Sequence, residues 1–340
     1  MTTGSTHDKA SLRSWLPGFL ILALIWGSSF LFIKVGVQEL HPLYVTLARV
    51  ATGSLTLLLV LAVLRDRLPR DPKLWLHLAV AAAIGIAVPY TLFGYGEQRV
   101  SSVLAGIWNA TTPLVVLPLA VLVFRTERMN VRRAVGMTLG FAGVLVVLGV
   151  WQGVGGAQFT GQLFCFAAAA CYGLVIPYLK RFVADRPESG LALSAGQLLM
   201  ATAQLAIVAP LVAGAPPAPT SLSPKVVGCV LTLGVLGTGL AYVLNMRNIR
   251  IVGASTASTV TYVMPVVAVV IGIVLLDEHI AWYQPVGALI VLTGVAISQG
   301  LFARAAQPRR PTPEEPVPAA TASRGTVVVV GGGEAERGTA

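Results

Sequence analysis

The chain has 340 residues, 55% of them hydrophobic and 11% charged, with a mean hydropathy of +0.78 and a formal net charge of +10. A water-soluble domain carries about a quarter charged residues, so the two soluble domains this length would allow are excluded and a membrane-embedded chain is indicated. The basic residues build neither a face nor an aromatic-flanked patch, which excludes a nucleic-acid partner.

In chain order, a short polar segment, 1–14, precedes the first apolar run. That run is too long for a signal-peptide core and no A-x-A-like cleavage site follows it, so it is expected to remain as the first span. A helix of about 20 apolar residues crosses about 30 Å of hydrocarbon. Ten such runs are predicted, at 15–36, 43–64, 75–96, 103–124, 131–150, 161–179, 191–212, 225–245, 254–275 and 282–302. A soluble bundle would show polar positions every third or fourth residue, and these runs do not. Cys165, Cys171 and Cys229 fall inside apolar runs and read as small buried hydrophobes. No metal site and no cofactor are expected. Beyond residue 302 the chain turns Pro-, Ala-, Thr- and Gly-rich, and 303–340 reads as a disordered cytoplasmic tail.

Loop charges test the count. With the N-terminus inside, cytoplasmic segments hold 20 Lys and Arg and outer loops hold two, Arg99 and Lys225. This is the positive-inside asymmetry, and one span missed or invented would destroy it. An all-α multi-pass protein of the inner (cytoplasmic) membrane with both termini inside is therefore expected.

Self-similarity follows. Trp26-Gly27 and Lys34 recur as Tyr172-Gly173 and Lys180, 146 residues on. Glu127, Gly136 and Gly143 recur as Glu278, Gly287 and Gly294, 151 residues on, and Pro113 is matched by Pro265. The division is five spans (15–150) and five spans (161–302). Five is odd, so the second copy lies upside down relative to the first, the inverted repeat of many secondary transporters.

The same residues carry a family resemblance. Trp26-Gly27-Ser28-Ser29-Phe30, Pro42 with Arg49, Ala105 and Pro113 before Glu127, Ala257 and Pro265 before Glu278, and the glycines of spans five and ten together resemble the EamA-like permeases of the drug/metabolite transporter superfamily. The resemblance covers nearly all of 15–302. It implies ten helices, cytoplasmic termini and export of small metabolites, often amino acids or related compounds, and it leaves the substrate open. A multidrug efflux permease is the alternative. A non-transporting sensor or an intramembrane enzyme would leave the inverted repeat without a purpose. The expected partners are a small-molecule substrate and the bilayer, with the chain a monomer or homodimer.

Candidate residues fall into three groups. Among the charges, Lys34 either snorkels to the interface or attracts a substrate carboxylate. Arg49, some 10 Å into span two at about 1.5 Å per residue, needs a partner or a wet cavity, with Glu97 or Glu39 as the expected carboxylates. Glu127 and Glu278 either hold gates by pairing with basic residues or neutralise nearby arginines. Pro113 and Pro265 are predicted helix breaks that either line a cavity or only kink. Trp26, Tyr90, Trp108, Asn109, Thr112, Tyr172, Tyr242, Asn245, Thr259 and Tyr262 are candidate contacts for a small amphipathic solute, or else interhelical hydrogen-bonders. Glycines 136, 140 and 143 read as a close-packing face. All fourteen carboxylates and four histidines are placed away from span centres, so facilitated transport without a buried proton relay is expected. There is no Walker-type phosphate loop and no H-E-x-x-H, and enzyme activity is not expected.

Overall fold

The computed structural model describes residues 12–123, 129–152, 156–257 and 259–300, all helix and connecting turns with no strand among them. Helix α1 spans Leu12–Gly36 and α2 Pro42–Leu64. The third span runs from α3 (Pro72–Ala82) through a π-turn, Ala83–Ala87, into α4 (Val88–Glu97). The fourth is broken into α5 (Ser102–Asn109) and α6 (Thr112–Leu122). Helices α7 (Val131–Leu148), α8 (Gly156–Phe182) and α9 (Gly190–Ala213) follow. The eighth span mirrors the third: α10 (Pro224–Gly234), a π-turn at Val235–Leu240, then α11 (Ala241–Ala257). Helices α12 (Val260–Leu276) and α13 (Tyr283–Gln299) complete the ten.

Local chemistry sets the starts. His41, Asp71, Ser101, Asn130, Ser189 and Ser223 each accept a backbone N–H of the helix they precede. Three of them are followed by proline at the first helical position, where its missing donor costs nothing. Eight spans are long and apolar enough to cross a membrane; α12 and α13, at 17 residues, are shorter and reach about 25 Å at 1.5 Å per residue. The predicted boundaries agree with these helices to within a few residues, apart from longer ends on the sixth and eighth spans. The 303–340 segment lies outside the described residues.

Two expectations about breaks fare differently. Pro113 sits in the first turn of α6, just after the chain leaves helical register at Ala110–Thr111. Pro265 does not break its span: it lies inside α12. The discontinuity is at Gly253, whose φ of 79° and ψ of 159° end the eighth span and turn the chain into the ninth. Such a φ is open to glycine and strained for other residues, so the glycine sets the turn between the two spans.

Packing follows the symmetry of the repeat. The contacts of α1 with α12 are mirrored by α8 with α6, and those of α4 with α8 by α10 and α11 with α1. The tightest pair is α7 with α13. A Cβ on Gly136 would stand 2.5 Å from the Gly294 carbonyl, and one on Gly143 2.6 Å from the Val291 nitrogen. The two backbones touch. Lipid supplies no hydrophobic drive between spans, so contacts this close supply van der Waals attraction instead. Gly140 serves the face differently, making room for the Leu114 side chain of α6 as well as for Gly294.

Candidate functional site

The site is built on the two π-turns. A π-turn widens the backbone locally and is frequent where function needs an off-register side chain. The turn in the eighth span places Thr238, itself fully buried, so that its hydroxyl accepts from Arg49 Nε at 2.9 Å. Close helix contact makes this possible: a Cβ on Gly53 would stand 2.7 Å from Thr238 Cγ2. On the other side the guanidinium lies 3.8 Å from the centre of the Tyr90 ring. Tyr242 interacts electrostatically with Tyr90, Tyr172 and Arg49, and Tyr172 with Tyr90 and Arg49. Tyr90 of the third span and Thr238 of the eighth thus hold the guanidinium, and the phenols of Tyr172 and Tyr242 lie near enough to act on it electrostatically.

Arg49 is only 6% exposed, yet no ion pair joins it to Glu97 or Glu39, the expected partners. Glu39 instead accepts from the Ser223 N–H at 2.8 Å, and the Ser223 hydroxyl and amide hold its carboxyl below the usual carboxylate range. That loop tie is present at neutral pH and is lost as pH falls through the lowered value. A ring face and a hydroxyl satisfy Arg49 without burying a second charge, which would carry its own desolvation cost. Its terminal nitrogens carry no hydrogen bond among the described residues, and all three tyrosines are half-buried. A guanidinium held in this way has donors left over, the chemistry that suits an anionic group.

The remaining candidates are dispersed. Trp26, Tyr172 and Tyr262 pack partly buried against the cluster centred on Phe30, Phe93 and Trp108. Trp108 is 2% exposed, edge-on to Phe166, and its Nε1 donates to Gln162 Oε1 at 3.2 Å. It belongs to the cluster on which Tyr172 of the cage packs. Asn109 and Thr112 flank the break in span four, where the Thr112 hydroxyl donates to the Asn109 carbonyl at 2.8 Å. Asn245 lies half-buried one turn beyond Tyr242, and Thr259 immediately precedes α12.

One end of the bundle is clasped. Lys34 Nζ donates to the carbonyls of Glu97 (2.6 Å) and Val100 (2.8 Å), where α4 ends and cations are favoured. Glu278 accepts from Ser102 N (2.8 Å), Ser102 Oγ (2.9 Å) and Val103 N (3.1 Å), where α5 begins and anions are favoured. Neither reaches a carboxylate or a basic side chain. Between these anchors α5 and α12 meet at Gly106 and Ala268, where an added Cβ would come within 2.6 Å. No comparable contact joins α6 to α11 among the described residues. Among the described residues the clasp has no counterpart at the mirror-image end. Glu127, the counterpart of Glu278, lies outside the described residues.

Glu97 departs furthest from expectation. Expected at a periphery, it is 0% exposed, and neither carboxyl oxygen has a hydrogen-bond partner among the described residues. The connection after α4 folds back under Lys34, and Gly96 and Gly161 let α8 close over it. Sequence reading also missed Thr238, Gln162 and Ser102. Only Ser102 had a signal, the Ser101-Ser102 pair ahead of an apolar run.

Removing either anchor is expected to loosen the clasp. Charge-assisted hydrogen bonds contribute about 1.5–3 kcal/mol, so Lys34→Met or Glu278→Gln should raise the population open at this end roughly 10- to 100-fold. The check is labelling of Ala105→Cys, buried in the native seal, by an impermeant maleimide in a background without the native cysteines. Unchanged labelling in both variants would show that the contacts hold nothing shut.

The profile of the EamA-like transporter family matches residues 13–149 and 159–299. The chain is 28% identical over 309 residues to "Uncharacterized inner membrane transporter YedA" of Escherichia coli K12, covering 87% of this chain and 95% of that one. It is 25% identical over 290 residues to a "Probable terminal-alkyne amino-acid exporter" of Streptantibioticus cattleyicolor, covering 85% and 94%. A solved crystal structure at 20% identity superposes with a TM-score of 0.56 over 87% of this chain and all of that one, a likeness of fold. With two matched copies filling the ten helices, the chain belongs to the EamA-like transporter family and is a multi-pass inner-membrane transporter.

Proposed function

We propose that the chain exports small amphipathic carboxylates, amino acids or close relatives, by alternating access, with Arg49 as the anchor for the carboxylate. The observation that carries this is the Arg49 guanidinium, held by Thr238 and Tyr90, with no hydrogen bond to its terminal nitrogens among the described residues. A guanidinium presents a planar fork matched to a carboxylate. The tyrosines offer apolar faces and phenols to the rest of such a solute. The relative named as an amino-acid exporter is consistent with this class. The loop charges put the clasped end outside, so an exporter's release of substrate would require the clasp to open. Trp108 supports the cage, whereas Asn109, Thr112 and Thr259 sit at the breaks on which the halves would rock.

A ligand that binds the folded state raises its thermal stability. Purified protein is expected to be stabilised by an amphipathic amino acid at millimolar concentration and far less by its carboxamide. Equal stabilisation by both would remove the carboxylate from the account.

A further inference from the structure

Glu97 has no role in the cage and none in the clasp, to which it lends only its backbone carbonyl. Its carboxyl is wholly buried and has no donor within reach among the described residues. The cation nearest to hand, Lys34, spends its hydrogen bonds on carbonyls. The groups that act on Glu97 electrostatically are Lys34 from α1, Arg49 from α2 and Glu278 from beyond α12, and Cys165 faces it from α8. A carboxylate is costly to bury without hydrogen bonds, whereas the neutral acid is much cheaper. Glu278, a second carboxylate in the same region, adds repulsion. Solvating the charge requires the covering connection to lift, which is the motion that undoes the clasp.

We propose that Glu97 is a proton-exchange site: the clasp closes over a protonated carboxyl, and its opening releases that proton to water on the opened side. The step is a simple ionisation, with the O–H proton passing to solvent and the electron pair remaining on the carboxylate. Closure of this end therefore takes up one proton from the side it faced, so the balance between the closed and open forms depends on the pH of that side. This replaces the expectation of a cycle without a buried titratable group. It rests on the transport reading only for its consequence; the linkage itself concerns the clasp.

The test needs no substrate. Nitroxide labels at Gln98→Cys and His279→Cys, both exposed on connections flanking the seal, report its opening by pulsed electron resonance in the full chain without native cysteines. The longer-distance population should grow relative to the shorter one as pH rises, by up to about tenfold per pH unit, the limit for one linked proton. In Glu97→Gln, which mimics the neutral acid, the short distance should persist at every pH. A distribution independent of pH in the unsubstituted Glu97 background, or an unchanged pH response in Glu97→Gln, would overturn the proposal. Glu278 in the clasp and His41, which contacts Tyr95 near this end, are the controls; a response abolished by Glu278→Gln or His41→Gln and retained by Glu97→Gln would also overturn it. A pH response without transport of any amino acid would strike the transport reading and leave the proton site standing.

Discussion

Arg49→Gln is expected to reduce transport roughly 10- to 100-fold, the loss of one charge-assisted anchor worth about 1.5–3 kcal/mol. Glutamine keeps much of the length and loses the charge and the fork. Arg49→Lys should fall between the two, because an ammonium restores charge without planar, paired donors. Thr238→Val should have a smaller effect, since it removes only the bond that orients Nε. Initial rates of counterflow in proteoliposomes, at matched amounts of monodisperse protein, give the comparison. If the anchor binds ground state and transition state alike, the loss falls mainly on KM. Native rates in Arg49→Gln would leave the guanidinium a packing element.

The second large effect is on stability. Gly136→Ala and Gly294→Ala are each expected to cost about 3 kcal/mol, the upper part of the range for overpacking. A Cβ at 136 would lie 2.5 Å from the Gly294 carbonyl, and one at 294 lies 2.6 Å from the Gly136 carbonyl. Both obstacles are backbone, so no rotamer change relieves them and α7 must part from α13. Gly228→Ala is the control: nothing stands within 4 Å of its Cβ, and alanine favours the helix by up to about 1 kcal/mol. Thermal unfolding in detergent separates the two classes. Equal melting temperatures for Gly136→Ala and Gly228→Ala would refute the close contact.

The ten helices were legible because bilayer thickness and loop charge act on sequence directly. Pairing was legible where it depends on small residues: Gly27 and the α7 glycines sit at backbone contacts. The cage was half legible. Arg49, Tyr90, Tyr172 and Tyr242 stood out as polar groups in apolar runs, but their register depends on the π-turns. A π-turn inserts one residue without any residue type of its own, so Thr238 could not be matched to Arg49 by counting turns. The charges near the clasp were misassigned for a different reason. Lys34 and Glu278 meet helix ends, whose partial charges belong to the backbone and leave no mark in a count of acidic and basic residues. Glu97 stands at a helix terminus, the usual place for a wet carboxylate, and only the folded-back connection buries it.

The most direct measurement is counterflow of radiolabelled amphipathic amino acids by the purified chain in liposomes, beside Arg49→Gln and empty vesicles. The account predicts saturable exchange of at least one amino acid, competed by related carboxylates and not by their amides, and reduced at least tenfold in Arg49→Gln. Exchange no faster than in empty vesicles across the panel, or exchange indifferent to Arg49, would contradict it.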